Sequence, residues 1–448
     1  MPEKKIWLCL AHMSEAGEEM KFIKEAFDTN WVVPLGPNVN GFEADLEAYV
    51  NEVREQGTGN SEQLTSEQAN EGQGNTELGA SGLNKRVVAL SSGTAAIHLG
   101  LVDLGVKAGD EVICQSFTFC ASSHPVTYLG ATPVFVDSEP ESWNMDPDLL
   151  EVAINDRIAK TGRKPKAIIP VYLYGMPAQI DRIMAIANRY DIPVLEDAAE
   201  GFGSRYRGRC VGTFGRYGVL SFNGNKMITT SGGGALICPD EESWRRVMFY
   251  ATQAREAYPY YHHEKIGYNY RMSNICAGIG RGQMTILDDH IAHHHRIARR
   301  YAEAFSDVEG ITFHANPNAD CDSNYWLSTI VLDEDLRVQG EEAVYQEAVK
   351  GAVGGAAGVV HATGTVHTDC EPNRNVEAMR LVLDRECIES RPLWKPMHLQ
   401  PVYKDAPAYV NGVSESLFKR GLCLPSGPMV SDDDVEQVIA AVKAAIVS

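Results

Sequence analysis

RVVALSSGTAAIHLGL, residues 86–101, joins a strand pattern to a helix pattern through a Ser/Gly turn. The apolar run Arg86–Leu90 predicts a buried strand, and Thr94–Leu104 predicts the helix that follows it. The free N–H groups and the dipole of a helix's first turn bind phosphate well, and Gly93 lets a ligand approach the backbone closely. Ordinary capping of the helix by the turn's own hydroxyl side chains is the alternative interpretation.

The alternation of short apolar runs with helical runs continues along the chain. It predicts strands at Glu111–Gln115, Thr132–Asp137, Lys166–Tyr172 and Pro193–Glu196, with helices at Phe119–Leu129, Asp148–Ile158 and Ile180–Tyr190. Such alternation is typical of a parallel sheet covered by helices on both faces. We therefore predict an α/β fold with a mostly parallel central sheet, whose ligands bind beyond the carboxyl ends of the strands.

The length of 448 residues predicts more than one hydrophobic core. We expect a large domain at residues 1–309 and a smaller α+β domain at 310–448. Helical patterns also occupy Glu18–Asp28, Phe42–Val50 and Asp288–Arg300. The polar, Gly/Gln/Asn-rich residues 55–84 cannot bury enough apolar surface to offset chain entropy, which predicts a flexible insertion. The Gly/Ala/Thr-rich residues 351–369 predict a surface excursion.

Composition excludes several classes of partner. The formal net charge of -20 argues against a nucleic acid or an anionic membrane as partner. No apolar run is long enough to span a bilayer, and the first residues lack a signal-peptide pattern, so the cytoplasm is the expected location. The 10 cysteines are scattered without a close pair, so we expect neither a metal site nor a disulfide framework.

Lys226 is the strongest candidate for a chemical group. The apolar run that ends in Ser221 is followed by a Gly/Asn turn, which places this amine just before a flexible run of Thr, Ser and Gly. A lysine held in a pocket can lose its proton and attack a carbonyl to form a Schiff base. An ordinary solvated ammonium is the alternative interpretation of this segment alone.

Asp197 ends the apolar run Pro193–Glu196, at the carboxyl end of a predicted strand. A carboxylate buried there is costly unless it meets a cation, and a protonated pyridine nitrogen would be such a partner. Alternatively, Asp197 caps the next helix and Glu200 completes a box-like pair. The sequence leaves both interpretations open.

Other segments supply candidates for ligand contacts. Phe119 begins a predicted helix, where it could stack on a flat ring or belong to the core. Asn269 lies in a polar, aromatic loop and could bind an anion or only form a turn. The histidine run 293–295 predicts a solvated helix face, because adjacent helical residues do not converge on one metal.

One proline-flanked loop carries Arg391, Trp394 and His398. Its two cationic side chains, Arg391 and Lys395, together with the indole and the imidazole suit a rigid loop that faces an anionic, partly apolar ligand. A solvated proline loop is the alternative.

Taken together, these segments provide a phosphate turn, an aromatic ring, an acid, a serine and an amine, which is the composition of a pyridoxal phosphate pocket. The order of SSGTAA, SFTF, EDAAE, SFNGNK and GYNYRMS closely resembles that of fold-type I pyridoxal phosphate enzymes, specifically the DegT-type sugar-nucleotide aminotransferases. The start HMSEAGEEMKFIKEAFDTNWVVPLGPNVNGFE and the later ESRPLWKPMHLQPVY are similar to the branch that aminates UDP-linked 4-keto-6-deoxy-N-acetylhexosamines. The resemblance covers nearly all of the chain outside the two predicted excursions.

The resemblance implies a role for each cofactor-binding residue. Lys226 would form the Schiff base with pyridoxal phosphate and then move protons. Asp197 would pair with the pyridinium nitrogen, and Phe119 would stack on the ring. The phosphate would be held by the backbone at Gly93, Thr94 and Ala95, together with Ser221.

The resemblance also implies the partners. L-glutamate would donate the amino group to the UDP-linked keto sugar, which would be faced by the loop of Arg391, Trp394 and His398. The active sites would lie at a homodimer interface, where Asn269 reaches the phosphate of the neighbouring subunit. Glu200 departs from the family pattern, since many relatives have Gln or His beside the ring oxygen.

Two other functions are compatible with the same fold. A sugar dehydratase on this fold would carry His in the lysine position, so Lys226 counts against it. A non-catalytic sugar-sensing regulator would often carry a DNA-binding appendage, and the acidic charge disfavours one.

Overall fold

A computed structural model of the chain describes residues 5–54, 83–341 and 370–447. The predicted insertion at 55–84 and the excursion at 351–369 lie outside these residues, apart from residues 83 and 84. The helices are α1 Glu18–Asp28, α2 Pro37–Asn51, α3 Gly93–Asp103, α4 His124–Tyr128, α5 Pro147–Thr161, α6 Ile180–Arg189, α7 Glu241–Ala251, α8 Asn274–Met284, α9 Leu287–Phe305, α10 Arg374–Arg385, α11 Val413–Arg420 and α12 Asp432–Ala445.

The strands follow the same chain order. They are β1 Arg86–Leu90, β2 Glu111–Gln115, β3 Thr132–Val136, β4 Ala167–Ile169, β5 Leu195–Asp197, β6 Arg205–Tyr206, β7 Arg209–Cys210, β8 Tyr217–Ser221, β9 Gly234–Cys238, β10 Ile311–Phe313, β11 Cys321–Asp322, β12 Ser328–Leu332, β13 Arg391–Pro392, β14 Ala408–Tyr409 and β15 Gly421–Leu424.

The central sheet has the strand order β1-β9-β8-β5-β4-β2-β3-β14. Parallel bridges from Ile168 to Val194 and from Val171 to Asp197 join its two halves. Only β9 runs against its neighbours, since it pairs antiparallel with both β1 and β8. The prediction of a mostly parallel sheet in an α/β fold is confirmed.

Both faces of this sheet are buried. Val87 and Ala89 of β1 pack into one core cluster, while Val88 and Leu90 pack into another. Successive side chains of a strand point to opposite faces, so a strand that is apolar at every position fits only between two layers. This burial accounts for the continuous apolar run at β1.

Two predicted elements are shorter than expected. The helix predicted at Phe119–Leu129 is a 3-10 turn at Cys120–Ser122 followed by α4, and Phe119 itself has an extended backbone. Pro125 enters the first turn of α4, and the backbone of the residue before a proline is disfavoured in the helical region. The strand predicted at Lys166–Tyr172 keeps only β4, which ends before Pro170 because proline has no N–H to donate.

The second sheet, β10-β12-β15-β13, is antiparallel and packs with α9, α10 and α12 around a third core cluster. Ile6 joins this cluster by a bridge to Ile388. Conversely, β14 from the predicted small domain extends the large sheet by pairing with β3. A residue from before the predicted boundary at 309/310 thus packs with the second sheet, and a strand from after it belongs to the central sheet.

Within the described residues, no helix combines the length and the apolar character that a membrane span requires.

Candidate active site

A cavity of about 350 Å³ opens where β5 and β8 end and α3 begins. A volume of this size is ordinary for a small-ligand site. Segments that are far apart in the chain line it, as expected for the carboxyl edge of a sheet. Among its lining residues are Gly93, Thr94, Phe119, Asp197, Glu200, Ser221, Lys226 and Trp394, all of which the sequence predicts as site residues.

Lys226 follows the Gly/Asn turn after β8, where its N–H donates to the carbonyl of Asn223 at 3.0 Å. Its Nζ lies 3.2 Å from Oε1 of Glu200 and 3.9 Å from the centroid of the Trp326 ring. The side chain is only 12% exposed. The amine is therefore held between a carboxyl group and an aromatic face inside the cavity, rather than solvated at the surface.

Asp197 is the last residue of β5 and is buried at the floor of the cavity. Ser122 Oγ donates to its Oδ2 at 2.6 Å, and the N–H of Ala199 donates to Oδ1 at 3.1 Å. Burial raises the pKa of the Asp197 carboxyl, and these hydrogen bonds and the charge of Lys226 oppose that rise. Ionisation of such a carboxyl group is costly in isolation, and it becomes favourable when a cationic ring nitrogen lies beside the group.

Glu200 is buried beside Lys226 and accepts a 2.7 Å hydrogen bond from the N–H of Tyr174. Tyr174 has a φ of 55°, in the left-handed region that a bulky residue rarely occupies. Burial raises the pKa of Glu200, while the ammonium of Lys226 acts in the opposite direction. The carboxyl group therefore favours its protonated form more than a solvated glutamate does.

Glu200→Gln should change how the free energy of unfolding of the cofactor-free protein depends on pH. Because the folded pKa of Glu200 is raised, the carboxyl group contributes stability below its unfolded pKa and loses it as pH rises through the folded value. The free energy of unfolding of the wild type minus that of the variant should therefore fall as pH rises above about 4. Urea unfolding across this pH range measures the difference; an increase with pH would contradict the assignment.

The first turn of α3 forms a cup at the other end of the cavity. Ser92 caps the helix by accepting a 3.0 Å hydrogen bond from the N–H of Ala95. A Cβ on Gly93 would come within 3.3 Å of the Ser221 side chain, and one on Gly234 would come within 2.3 Å of the Gly93 nitrogen. The lack of side chains at both positions therefore lets the first turn of α3 lie close to β8 and β9 at this end of the cavity. The predicted phosphate contact by Ala95 stays a prediction, since its N–H is donated to Ser92 here.

Aromatic rings form the wall of the cavity opposite the sheet. The ring of Phe119 is 5.3 Å from that of Trp394, centroid to centroid, and the rings of Trp394 and Trp326 are 6.4 Å apart. Tyr174 holds this wall by accepting a 2.9 Å hydrogen bond from the N–H of Trp394. Phe119 is 55% exposed, which favours a ligand-facing role over the core role.

The structure does not bring every predicted site residue to the cavity. Arg391 is exposed and pairs with Glu389 at 2.7 Å. His398 turns towards β2, where its Nδ1 lies 2.6 Å from Ser116 Oγ, and burial lowers its pKa. Asn269 is exposed on the surface and does not line this cavity. Their roles as ligand contacts stay predictions.

Three contributors were missed by the sequence analysis. Trp326 precedes β12, in the part of the chain assigned to the other domain, so no local pattern connected it with Lys226. Ser122 and Thr118 form a chain of hydrogen bonds to Asp197, with 2.6 Å between the two hydroxyl oxygens. Their position within SFTFCAS, the segment of the predicted aromatic contact, was the only signal for them.

The sequence model of the DegT/DnrJ/EryC1/StrS aminotransferase family matches residues 56–361 and 355–443. The chain belongs to this family. Three of its relatives show the extent of the similarity. EpsN of Bacillus subtilis (strain 168), named as a pyridoxal phosphate-dependent aminotransferase, is 41% identical over 440 residues, which cover 97% of this chain and 94% of that protein. The GDP-perosamine synthase of Escherichia coli O157:H7 is 32% identical over 94% of both chains.

The third relative of this DegT-family chain is the UDP-2-acetamido-2-deoxy-3-oxo-D-glucuronate aminotransferase of Pseudomonas aeruginosa, 38% identical over 50% of this chain and 60% of that protein. Two solved structures are also similar. A DegT DnrJ EryC1 StrS aminotransferase from Brucella abortus has a TM-score of 0.75 and 28% identity, and covers 96% of this chain and 95% of that one. DesV of S. venezuelae has a TM-score of 0.72 and 27% identity, with coverage of 96% and 94%.

The DegT-family chain is thus a fold-type I sugar aminotransferase, and its cofactor is pyridoxal phosphate. The residues of this cavity fit that cofactor on two observations. Burial raises the pKa of the Asp197 carboxyl, and the cofactor's cationic ring nitrogen would be a matching partner for it. Gly93 and Thr94 line the cavity at the N-terminus of α3, where the N–H groups of a helix's first turn bind a phosphate well.

Proposed function

We propose that the chain transfers the amino group of L-glutamate to a UDP-linked 4-keto-6-deoxy-N-acetylhexosamine and yields the 4-amino sugar. The observation that carries the transamination is the position of the Lys226 Nζ, inside the same cavity as Asp197 and the first turn of α3. The similarity to two enzymes named for nucleotide-linked sugars supports the substrate class. The two sequence stretches at 12–43 and 389–403 support the UDP-linked 4-keto branch.

Each residue has a separate task in this proposal. Bound pyridoxal phosphate supplies an aldehyde that condenses with amines and a ring that accepts an electron pair. Lys226 carries a proton on Nζ and delivers or removes it within the cavity, where Glu200 holds the amine at 3.2 Å. Asp197 would supply the negative charge that pairs with the ring nitrogen of the bound cofactor. The aromatic wall of Phe119 and Trp394 excludes water from the reacting atoms.

A second cavity of about 430 Å³ adjoins the first and shares Thr118, Phe119 and Trp394 with it. We assign the nucleoside diphosphate to this second cavity, because a sugar bound at Lys226 must extend its anionic group into a neighbouring space. Its walls combine the cationic side chain of Lys395 with apolar surface from Met397 and other residues. This mixture suits a diphosphate linked to a flat base.

A homodimer with shared active sites is part of the proposal. Two segments of the single chain expose apolar side chains that a subunit interface would bury. They are Trp31, Val32, Val33 and Leu35 after α1, and Tyr258, Tyr260, Tyr261 and Ile266 after α7. Asn269 lies on the surface just beyond the second segment, as a residue that contacts a neighbouring subunit's phosphate must. Light scattering should give twice the chain mass; a monomer that retains full activity would contradict this part.

We place the protein in the cytoplasm. Six of its cysteines are buried free thiols, at positions 9, 114, 210, 238, 321 and 423. Such thiols are usual in a reducing compartment. Fractionation of the source cells with an antibody to the protein tests this location; recovery in a secreted fraction would contradict it.

A substrate panel tests the proposed reaction. The holoenzyme is incubated with L-glutamate and either a UDP-linked 4-keto-6-deoxy-N-acetylhexosamine, its GDP-linked 4-keto counterpart or a UDP-linked 3-keto sugar. We expect 2-oxoglutarate and an amino sugar to form in equal amounts with the first substrate, and much more slowly with the others. Preference for either of the others would reject the finer assignment while leaving the aminotransferase class in place.

Lys395→Met should raise KM for the sugar nucleotide about tenfold, because it removes a charge-assisted contact with the diphosphate. KM for L-glutamate, which carries no diphosphate, should stay near the wild-type value. Lys404→Met is the matched control, since Lys404 is exposed and does not line this cavity. Equal effects of the two variants would remove the nucleotide from this cavity.

A further inference from the structure

Helix α9 carries four histidines, and their surroundings differ from the sequence expectation. The run 293–295 predicts a solvated face, but His294 is completely buried and His290 is 6% exposed. The expectation is therefore wrong for His294. His290 and His294 are four residues apart, so their side chains share one face of the helix. Burial lowers the pKa of His294 to about 3, which leaves the imidazole neutral.

Both buried histidines contact backbone carbonyl groups. Nδ1 of His290 lies 3.1 Å from the carbonyl oxygen of Met227, and Nδ1 of His294 lies 3.0 Å from that of Tyr325. A carbonyl oxygen only accepts hydrogen bonds, so each Nδ1 carries the proton and donates it. Each contact thereby fixes one backbone carbonyl in a low-dielectric interior, where a lost partner is costly.

The two fixed carbonyls flank the chemical centre. Met227 directly follows Lys226, and Tyr325 directly precedes Trp326. The Trp326 ring lies 3.9 Å from the Lys226 Nζ, and its Nε1 donates a 2.6 Å hydrogen bond to the carbonyl of Asn225. The segment around Lys226 and the segment around Trp326 therefore contact each other, and each also contacts a histidine on the same face of α9.

The backbone of Tyr325 is held in an unfavourable conformation. Its φ of 47° lies in the left-handed region, which is unfavourable for a bulky side chain. Such a backbone persists only where neighbouring groups hold it, and the hydrogen bond from His294 is one of the contacts at that residue. Without this hydrogen bond, we expect the backbone at Tyr325 to relax to a more favourable conformation and to move the indole of Trp326 away from the amine of Lys226.

We propose that His290 and His294 are positioning residues of the amino-transfer centre. Through the carbonyls of Met227 and Tyr325 they set the distance between the Lys226 amine and the Trp326 indole. The role rests on the proposed function of Lys226 in amino transfer, and it is independent of which sugar is the substrate.

His294→Leu and His290→Leu test the role, because leucine retains apolar bulk and removes the donor. In the holoenzyme we expect kcat to fall about tenfold or more for each variant, with KM for the sugar little changed, since misplacement of a catalytic group acts on the chemical step. His294→Asn and His290→Asn should recover much of the loss, because the asparagine amide can again donate to the carbonyl.

The pH titration of the holoenzyme's visible absorbance band gives a readout without sugar or turnover. An indole face stabilises a nearby cation, so loss of that contact should move the midpoint to lower pH by about half a unit or more. Trp326→Leu should shift the midpoint in the same direction. The double variant His294→Leu/Trp326→Leu should shift it no further than Trp326→Leu alone, because both changes remove one contact.

His293→Leu is the matched control. His293 lies on the same helix and donates from Nε2 to the carbonyl of Gly427 at 3.2 Å, which adjoins neither Lys226 nor Trp326 in sequence. It should leave the band midpoint and kcat near the wild-type values. The proposal is overturned if the leucine variants at 290 and 294 retain the wild-type midpoint, if asparagine fails to rescue them, or if the shifts of His294→Leu and Trp326→Leu add.

Discussion

Lys226→Ala should lower kcat for amino transfer at least about a thousandfold, because the variant lacks both the nucleophilic amine and the group that carries the proton. Neither side chain in contact with Nζ, the Glu200 carboxyl or the Trp326 ring, offers an amine that could take its place. The loss should appear in kcat more than in KM for the sugar nucleotide, whose diphosphate binds elsewhere. Initial rates of 2-oxoglutarate formation measure it.

Two controls make the Lys226 result specific. Lys160→Ala removes an exposed lysine that pairs with Asp156 on the surface of α5, and it should retain wild-type turnover. Thermal unfolding of Lys226→Ala should remain cooperative, which separates lost chemistry from lost structure. Turnover by Lys226→Ala within tenfold of the wild type would show that another residue carries the proton.

Asp197→Asn should lower kcat about a hundredfold or more. The substitution preserves the shape of the side chain and removes the charge that we propose as the partner of the cofactor's ring nitrogen, so the ring would lose its proton and accept electrons poorly. The amide nitrogen would also replace one of the two carboxyl oxygens, so either the hydroxyl of Ser122 or the N–H of Ala199 would lose its present acceptor. The visible absorbance spectrum of the bound cofactor should change together with kcat.

Glu196→Gln is the matched control for Asp197→Asn, since Glu196 is the preceding residue of the same strand and is equally buried. Its carboxyl group faces away from the cavity, where it accepts hydrogen bonds from Tyr172 and from the N–H of Gly212. The control should lower the melting temperature and leave kcat near the wild-type value. If both variants lose activity equally, the effect arises from strand β5 and not from the ring nitrogen.

The sequence predicted those parts of the site that follow from local chain geometry. Asp197 ends the apolar strand β5, and Lys226 follows β8 after a short turn, while parallel strands end at one edge of a sheet. Their common cavity was therefore predictable before any contact was known. The Ser/Gly turn at Gly93 was predictable for the same reason, because it joins a strand to a helix.

The remaining features depend on contacts between distant segments. Trp326 reaches Lys226 from the loop before β12, and His294 supports it from α9, although neither segment has a motif that indicates the other. His398 shows a different case, since its loop has the composition of a ligand contact while the imidazole lies against Ser116 in the structure. Side-chain direction in a loop is decided by packing, which composition does not encode.

The central claim is that the cofactor is covalently attached at Lys226. Borohydride reduction of the holoenzyme, followed by proteolysis and mass spectrometry, measures the attachment site directly. We expect a single lysine-linked pyridoxyl phosphate adduct, on the peptide that contains Phe222 to Met227. An adduct on a different lysine, or a holoenzyme in which Lys226 remains unmodified after reduction, would contradict it.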